Sequence, residues 1–517
     1  MEFTMKLASI FTDHMVLQRD MPLCIFGTGE GKVKVTFLGE TAEGTSENGK
    51  WRAKLSPKPF GGPYEMKIDL GGKELVLRDI LIGDVFLASG QSNMEMPLFA
   101  TESGFSDAKN CDNNAIRYFT VPRRYKKGVD TYGYHFADVY NCDTPWQIKT
   151  EEAALNFTAI GHYFAEYLQR KVNVPIGIIS CNWGGRRIEA FIEKSYFYGV
   201  PSLDGQIKEF TEFVSSLDMG KYEKEFDKFT RDVEIYIKEK HKGRLDDTRR
   251  LGVYAAVPKA NLDDFPQKLK GPYDSVSPSV LWESMFSEIV PFKVRAMLWY
   301  QGESNGYDRD YLEKYLTFLK CIREKFECDM DVYAVELAPY IGSHADLKEI
   351  ADLKFITGNN WAFLREAQQQ ATVMGEKNHL VTSAEQGDIF EIHPKRKKEI
   401  ARRLFLKAMK YTYGMDILAD QPIFKSVEFK DGKAYITLYN ADGLYGQTGG
   451  VEMLIAGKDK VLKRGFVKIT EDNRLEVYSP EVPEPEIVRY GFGMYYFGKH
   501  IYNSAGLPLA PFRTDKD

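Results

Sequence analysis

The hydrophobic pattern of the chain changes twice, near residue 80 and near residue 416. Up to about residue 80, short stretches that alternate apolar and polar positions, such as 32–37, are separated by glycine-rich turns. Alternation returns at 433–438 and 474–478. Because this pattern is typical of strands with one buried face, we predict a β-sandwich-like module over 1–80 and a β-rich module over 416–517.

Between these modules, continuous apolar runs alternate with segments of helical period. Five such runs lie at 85–88, 176–179, 296–300, 332–335 and 379–382. Because the strands of a parallel sheet covered on both faces are apolar throughout, the pattern predicts a doubly wound α/β domain over 81–415. Helices are predicted between the strands, among them 160–171 and 311–326.

A segment of about 196–280 interrupts this alternation. In it, Phe226, Phe229, Val233 and Ile237 recur at helical spacing, with lysine and glutamate between them. Such spacing is typical of an amphipathic helix. We therefore predict a helical insertion packed on the α/β domain.

Composition and charge are those of an ordinary globular protein and exclude some partners. The 517 residues are too many for one core, and 28% charged with 43% hydrophobic residues is a usual balance. The net charge is -5, and no basic stripe interleaved with aromatic residues occurs, so we expect no nucleic-acid partner. No apolar stretch is long enough to span a bilayer, so we expect no membrane partner. Nothing in the sequence indicates the oligomeric state.

Cysteine and histidine spacing gives no sign of a metal or cofactor site. The chain contains six cysteines: Cys24, Cys111, Cys142, Cys181, Cys321 and Cys328. They form no C-x-x-C pair and have no histidine at zinc spacing, so we expect no metal, no cofactor and reduced thiols, with one disulfide as the alternative. Residues 1–11 lack the apolar core of a signal peptide. We therefore expect either a cytoplasmic protein or a secreted one whose leader has been removed.

Chemically useful residues follow four of the predicted strands at their carboxyl ends. In chain order they are Ser92, the Gly184–Gly185 pair, the group Gln301, Glu303 and Asn305, and the group Asp388, Glu391 and His393. Ligands of an open parallel sheet bind beyond the carboxyl ends of its strands. We therefore expect a hydroxyl, a glycine pair, amides, carboxylates and an imidazole to meet there, and these are the parts of an acyl-transfer site.

Each part has a role in acyl transfer. The Ser92 hydroxyl is a nucleophile only when a base removes its proton, and His393 is suited to that near neutral pH. Taken alone, Ser92 is better explained as a helix cap or a turn residue, and only the order of the blocks favours a nucleophile. The tetrahedral intermediate needs preorganised donors. Candidates are the backbone N–H of Ser92, a backbone N–H of Gly184 or Gly185, and the side-chain amide of Gln301 or Asn305.

In this order the four blocks resemble those of the SGNH hydrolases, within the sialate O-acetylesterase and acetylxylan esterase branch. The blocks are Gly90-Gln91-Ser92-Asn93-Met94, Trp183-Gly184-Gly185, Trp299-Tyr300-Gln301-Gly302-Glu303-Ser304-Asn305 and Ile392-His393-Pro394. Flanking pieces at 15–19 and 506–508 match as well, and only the 196–280 insertion shows little to match.

The resemblance implies a flavodoxin-like hydrolase domain between two β modules. It also implies metal-independent removal of acetyl groups from sugars, with Ser92 and His393 as the catalytic pair. Gln91 and Asn93, on either side of Ser92, join the candidates for oxyanion and substrate binding.

The carboxylate that orients His393 is left open. Many SGNH enzymes carry aspartate three residues before this histidine, where the chain has Phe390. Glu303 matches a carboxylate that serves as the acid in some acetylxylan esterases of the branch, and it is the preferred candidate. Asp388 and Glu391 are alternatives, as is a backbone carbonyl in a Ser–His dyad.

Three functions compete. The first is a serine esterase that removes O-acetyl groups from sialic acid or from plant polysaccharides or oligosaccharides through an acyl-enzyme. The second is a non-catalytic carbohydrate-binding protein on a degenerate esterase scaffold, favoured by two β modules and by 30 Tyr, 33 Phe and 6 Trp. The third is an esterase for other short acyl esters. The complete set of Ser92, His393 and candidate acids favours the first. Met94 takes the place of the last glycine of a G-x-S-x-G elbow, which disfavours an α/β-hydrolase.

Overall fold

The computed structural model describes residues 5–122, 145–241, 269–274, 276–342, 360–446, 449, 451, 453–494 and 498–515. The chain divides into two compact units. The first consists of Met1–Ser304 and Glu313–Val332, and the second of Asn305–Leu312 and Tyr333–Asp517.

The first unit contains β-strands from the N-terminal region and a sheet with helices. Its strands are β1 (Lys6–Leu7), β2 (Val16–Gln18), β3 (Leu23–Thr28), β4 (Lys32–Phe37), β5 (Glu40–Thr45), β6 (Lys50–Leu55), β7 (Gly61–Leu70), β8 (Glu74–Gly90), β9 (Asn113–Thr120), β10 (Gln147–Lys149), β11 (Ile176–Asn182) and β12 (Ala296–Tyr300). Its helices are α1 (Ser92–Glu95), α2 (Gly104–Ala108), α3 (Glu151–Asn156), α4 (Ala159–Val172), α5 (Pro201–Ser216), α6 (Met219–His241) and most of α7 (Tyr311–Phe326).

The alternating pattern of the first 80 residues forms strands with one buried face, as predicted. In β4, Val33, Val35 and Phe37 are buried while Lys32 and Lys34 are exposed. β1, β3 and β6 form a small antiparallel sheet, and β4, β5 and β7 join the first half of β8. The N-terminal strands therefore form two sheets.

β8 links these strands to the central sheet of the first unit. Its first half pairs antiparallel with β7, and its second half pairs parallel with β11 and β12. The strand order is β10-β9-β11-β8-β12, in which β10 is antiparallel to β9. The prediction of a parallel sheet is therefore right for β9, β11, the second half of β8 and β12, but the sheet as a whole is mixed. The predicted boundary at 80–81 lies within β8, which continues through it.

The buried carboxylate of Asp84 lies at the start of the parallel half of β8. It connects this strand to Arg19, directly after β2, and to Arg295, directly before β12. Asp84 is fully buried and accepts hydrogen bonds from Arg19 at 2.9 Å and from Arg295 at 2.9 and 3.0 Å. The Gln18 side chain accepts from the backbone N of Val85 at 2.8 Å. Because a carboxylate is buried at low cost only when it is paired, this cluster fixes the amino end of the parallel half.

The 196–280 segment forms two helices, α5 and α6, within its described residues. α5 begins with proline at its first position, where a missing N–H costs nothing. Phe226 and Phe229 of α6 are buried, and Phe226 packs against Tyr273 with ring centroids 5.1 Å apart. The side chains of Val233 and Ile237 lie outside the described residues.

The second unit combines a pair of neighbouring strands and two helices with a larger β-sheet. Its strands are most of β13 (Asp331–Val335), β14 (Asn378–Val381), β15 (Ile423–Lys430), β16 (Lys433–Tyr439), β17 (Met453–Ala456), β18 (Lys463–Ile469), β19 (Leu475–Tyr478), β20 (Ile487–Tyr490) and β21 (Phe512–Arg513). Its helices are α8 (Asn360–Met374) and α9 (Lys397–Tyr411). The sheet has the order β15-β16-β19-β18-β17-β20-β21 with antiparallel pairing. Its inward-facing residues, such as Ile436, Ile455 and Val477, form a core.

Two expectations from the sequence concern membrane spans and cysteine pairing. In the ranges given above, no helix combines the length and apolar character needed to cross a bilayer. Cys24, Cys111, Cys181, Cys321 and Cys328 are free thiols. The sixth cysteine, Cys142, lies outside the described residues.

Candidate active site

Ser92 is the first residue of α1, directly after the carboxyl end of β8. It is buried, with 9% of its surface exposed. The backbone N of Gln91 donates to the carbonyl of Tyr300 at 3.0 Å, and the backbone N of Trp183 donates to the carbonyl of Gly90 at 3.1 Å. The ends of β8, β11 and β12 are therefore joined beside Ser92.

Gly90 makes this junction possible. Its φ is 144°, a value that residues with a side chain rarely adopt. A Cβ added there would lie 2.1 Å from the carbonyl oxygen of Tyr300 on β12. Glycine is required at this position because the two backbones approach too closely for any other residue.

The glycine pair after β11 lies against Ser92. A Cβ added at Gly184 would come within 3.2 Å of the Ser92 Cβ. The backbone N of Gly184 donates to Glu95 Oε2 at 2.6 Å, so this N–H is already bound within the loop. Gly185 has a φ of 70°, and none of the described atoms lies within 4 Å of a Cβ added to it. The oxyanion role predicted for the pair stays a prediction, and this geometry makes Gly185 the better candidate.

Glu95 was not identified from the sequence. It lies three residues after Ser92 on a helix of one turn, so the two side chains share a face. Its buried carboxylate receives the Gly184 N–H and holds the glycine pair beside the nucleophile. The sequence feature that could have indicated Glu95 is its spacing, since it places a carboxylate about one helical turn after the candidate nucleophile.

Removing the Glu95 carboxylate is expected to lower turnover of an acetyl ester. Glu95→Ala leaves the Gly184 N–H without its acceptor, so the glycine pair is expected to move relative to Ser92. We expect kcat to fall by about tenfold to a hundredfold, since small misplacements in a site have effects of this size. Glu95→Gln keeps an acceptor oxygen and is expected to retain most of the activity. Equal kcat for wild type and Glu95→Ala would show that this contact does not position the loop.

The loop after β12 is tied to the loops after β8 and β11. Gln301 is fully buried, and its side-chain amide donates to the carbonyl of Arg186 at 3.1 Å. Gln91 Oε1 accepts from the backbone N of Gly302 at 3.3 Å and from that of Ser304 at 3.4 Å. These amides connect the loops, and their predicted roles toward an oxyanion or substrate stay predictions.

Asn93 and Glu303 contact each other. Asn93 Nδ2 donates to Glu303 Oε1 at 2.5 Å, so the preferred acid is held by the residue after Ser92. Glu303 opens a 3₁₀ turn at Glu303–Asn305. The side-chain amide of Asn305 donates to Asp308 at 2.9 Å within the second unit.

His393 lies in the second unit, on the loop that follows β14. Its Nδ1 is 3.5 Å from Glu391 Oε1, and its backbone N donates to the same oxygen at 3.0 Å. The His393 imidazole beside Glu391 holds the pKa of that carboxyl below its usual range, so Glu391 is ionised at neutral pH. Asp388 instead accepts from the backbone N of Phe390 at 2.9 Å, which closes the turn before His393.

Each unit therefore brings together part of the predicted site. The first unit groups Ser92, the Gly184–Gly185 pair and the Asn93–Glu303 contact at the carboxyl ends of its parallel strands. The second unit places Glu391 against His393. The identity of the acid stays a prediction with three candidates.

Comparison with known proteins confirms the resemblance drawn from the four blocks. The chain is 24% identical over 471 residues to the sialate O-acetylesterase of Mus musculus, covering 84% of this chain and 78% of that protein. It is 23% identical over 472 residues to the sialate O-acetylesterase of Homo sapiens, covering 84% and 76%. A solved structure described as a novel carbohydrate acetylesterase from Xanthomonas citri matches with a TM-score of 0.74 and 27% identity, covering 99% of this chain and 100% of that one. No family model matches.

Proposed function

Because the chain is a sialate O-acetylesterase-like carboxylic-ester hydrolase, we propose that it removes O-acetyl groups from carbohydrates through an acyl-enzyme on Ser92. The observation that carries the proposal is the junction in the first unit. There the ends of β8, β11 and β12 are joined beside Ser92, and Gly184 lies against its Cβ. Acyl transfer requires oxyanion donors close to the nucleophile, and the loop that carries Gly184 and Gly185 is a candidate source of such a donor.

In the proposed mechanism, His393 takes the proton from Ser92 Oγ as that oxygen attacks the acetyl carbonyl carbon. The backbone N–H groups of Ser92 and Gly185, with the amide of Gln301 or Asn305, stabilise the oxyanion. The C–O bond to the sugar then breaks, and His393 returns the proton to the leaving sugar oxygen. A water molecule deprotonated by His393 attacks the acyl-enzyme, which releases acetate and restores Ser92.

We also infer a flavodoxin-like arrangement for the hydrolase part. In support, β8 comes before β9, β11 and β12 in the chain but lies between β11 and β12 in the sheet. The chain therefore reverses its direction across the sheet at the end of β8, and such switch points are where ligands bind in doubly wound sheets. Ser92 follows this strand directly. The limits 1–80, 81–415 and 416–517 remain our proposal for the domains.

Acetate release tests the proposal. Purified protein is expected to release acetate from p-nitrophenyl acetate and from at least one O-acetylated carbohydrate, with O-acetyl sialic acid and acetylated xylan as the first substrates. Activity that rises with acyl-chain length would favour an esterase for other acyl esters. Binding to a carbohydrate without release of acetate from any ester would favour the non-catalytic alternative and contradict the proposal.

The three candidate acids can be separated by matched amide variants. We expect Glu303→Gln to lower kcat by about a hundredfold or more, since an amide cannot stabilise an imidazolium. Glu391→Gln and Asp388→Asn are expected to retain most of the turnover. Glu391 is partly exposed, at 41% of its side chain, and 3.5 Å from His393, and Asp388 is bound to a backbone N–H. Wild-type turnover in Glu303→Gln with loss in Glu391→Gln would reassign the acid.

A further inference from the structure

The turn that follows β11 places its candidate oxyanion donor on two successive glycines. Gly184 and Gly185 form this turn, and the φ of Gly185 is 70°, a left-handed value like the one that a type II turn requires at its third residue. Glycine adopts more backbone conformations than any other residue, and this pair has no side chains whose packing could fix the turn. Its position relative to Ser92 therefore depends on contacts that other side chains make with its backbone.

Contacts from the β8 side hold the first half of the turn. The backbone N of Trp183 donates to the carbonyl of Gly90 at 3.1 Å. The backbone N of Gly184 donates to Glu95 at 2.6 Å. Both contacts come before the Gly185 N–H in the chain, so the second half of the turn must be held by another group.

The side chain of Arg186 contacts the second half. It folds back over the turn that it follows, and its Nη1 donates to the carbonyl of Gly185 at 3.3 Å. Its guanidinium carbon lies 5.3 Å from the centroid of the Trp183 ring, and a cation within about 6 Å of an indole centroid is attracted to the ring face. Arg186 and Trp183 are 4% and 2% exposed, so water screens this attraction little. The guanidinium thus links the residue before the glycine pair to the second glycine.

The backbone of Arg186 is also held, from the β12 side. Its carbonyl accepts from the side-chain amide of Gln301 at 3.1 Å, and Gln301 is fully buried on the loop after β12. The next residue has different surroundings. The guanidinium of Arg187 pairs with Glu189 at 3.1 and 3.4 Å, and 43% of its side chain is exposed. Arg187 therefore provides a matched comparison for Arg186.

We propose that Arg186 is a positioning residue for the oxyanion site, whose guanidinium holds the Gly184–Gly185 turn against Ser92. It acts through the Gly185 N–H rather than through a contact with the substrate. The planar guanidinium can stack on Trp183 and donate to Gly185 at the same time, whereas the ammonium group of a lysine offers no plane for stacking. The inference rests on the proposed function, since it assumes that this turn supplies an oxyanion donor.

Steady-state kinetics of the full-length protein with p-nitrophenyl acetate test this role. Arg186→Met keeps a long apolar side chain over Trp183 but removes the donor, and Arg186→Lys keeps the charge but removes the plane. We expect both variants to lower kcat by about tenfold to a hundredfold, the effect of a small misplacement in a site. KM is expected to change little, because oxyanion donors bind mainly the transition state. Thermal melts establish that the variants are folded.

Arg187→Met is the matched control, since it removes an arginine from the same loop. The Arg187 guanidinium is partly exposed and pairs with Glu189, so we expect its removal to leave kcat at the wild-type value. A loss in Arg187→Met as large as that in Arg186→Met would overturn the inference, because removal of any charge from the loop would then be enough.

A boronic acid separates positioning from a loss of folded protein. The boron atom of methylboronic acid binds Ser92 Oγ, whose proton passes to the base, and the tetrahedral anion that forms resembles the acylation intermediate. We expect the inhibition constant to rise in Arg186→Met by about the factor by which kcat/KM falls. A smaller folded fraction would lower the measured kcat without changing this constant. An inhibition constant equal to that of wild type would overturn the inference.

Arg186→Lys shows what the side chain contributes. A loss of turnover close to that of Arg186→Met supports a requirement for the guanidinium plane over Trp183. Wild-type kcat in Arg186→Lys would overturn the inference, since a cation of any shape would then be enough. If Arg186→Met does not fold, Arg186→Lys provides the same comparison of kcat and inhibition constant with wild type.

Failure of this inference can be told from failure of the proposed function. A wild-type protein that neither hydrolyses p-nitrophenyl acetate nor is inhibited by methylboronic acid would contradict the esterase, and the inference with it. An active wild type, with unchanged kcat and inhibition constant in a folded Arg186→Met variant, would contradict the role of Arg186 alone.

Discussion

Ser92→Ala is expected to reduce kcat for p-nitrophenyl acetate by about a thousandfold or more, the range seen when a serine nucleophile is removed. The variant lacks the oxygen that forms the acyl-enzyme, so only background attack by water remains. Its Cβ, which lies against Gly184, is retained, and so are the backbone contacts of the loop. We therefore expect an unchanged melting temperature together with loss of turnover.

Ser89→Ala is the matched control for this loss. Ser89 lies on β8, the strand that precedes Ser92, is fully buried, and donates to the carbonyl of Cys181 at 2.6 Å. Its removal is expected to cost about 1 kcal/mol of unfolding free energy, the usual value for one hydrogen bond, with turnover retained. Wild-type kcat in Ser92→Ala would contradict the assignment of the nucleophile.

Gly90→Ala is expected to have the largest effect on stability, a loss of about 3 kcal/mol or more of unfolding free energy. Its methyl group would lie 2.1 Å from the carbonyl oxygen of Tyr300. Relief of this clash requires β8 and β12 to separate next to the hydrogen bond from Gln91 to Tyr300. Denaturant unfolding measures the loss, and turnover is expected to fall with it.

Gly39→Ala separates backbone strain from the clash at Gly90. Gly39 has a φ of 79°, and no described atom lies within 4 Å of a Cβ added to it. It is therefore expected to lose only about 1 kcal/mol, the cost of a left-handed conformation for a residue with a side chain. Equal unfolding midpoints for Gly90→Ala and Gly39→Ala would show that β12 does not restrict Gly90.

Sequence periodicity locates changes of burial more directly than it locates the limits of domains. β8 is exposed or half-buried at most positions of its first part and is continuously buried from Ile80 to Gly90. We placed the start of the α/β domain at this change, and that limit stays a proposal. In the structure it marks the point at which one strand passes from a sheet with one covered face to a region covered on both faces. Periodicity reports burial, and burial changes within a strand as well as at its ends.

The same limit applies to the site. The order of the motifs predicted that Ser92 and the Gly184–Gly185 pair meet, because each follows a strand, and in the structure Gly184 lies beside Ser92. Glu95 was missed because its partner is the backbone N–H of Gly184. Every residue except proline has a backbone N–H, so the sequence does not show which one a side chain binds. The predicted roles of the Gln91 and Gln301 amides toward substrate or oxyanion stay predictions, and the sequence did not show that these amides also connect the loops. A sequence shows that a side-chain amide is present, but only the folded loop shows which groups that amide binds.

The central claim is that Ser92 is an activated nucleophile, and covalent labelling tests it most directly. Wild-type protein is treated with a fluorophosphonate, which reacts with activated serines, and the labelled residue is identified by mass spectrometry. We predict one label per chain, on Ser92, with loss of esterase activity in proportion to labelling. Complete labelling at another residue, or full activity after Ser92 is labelled, would contradict the claim.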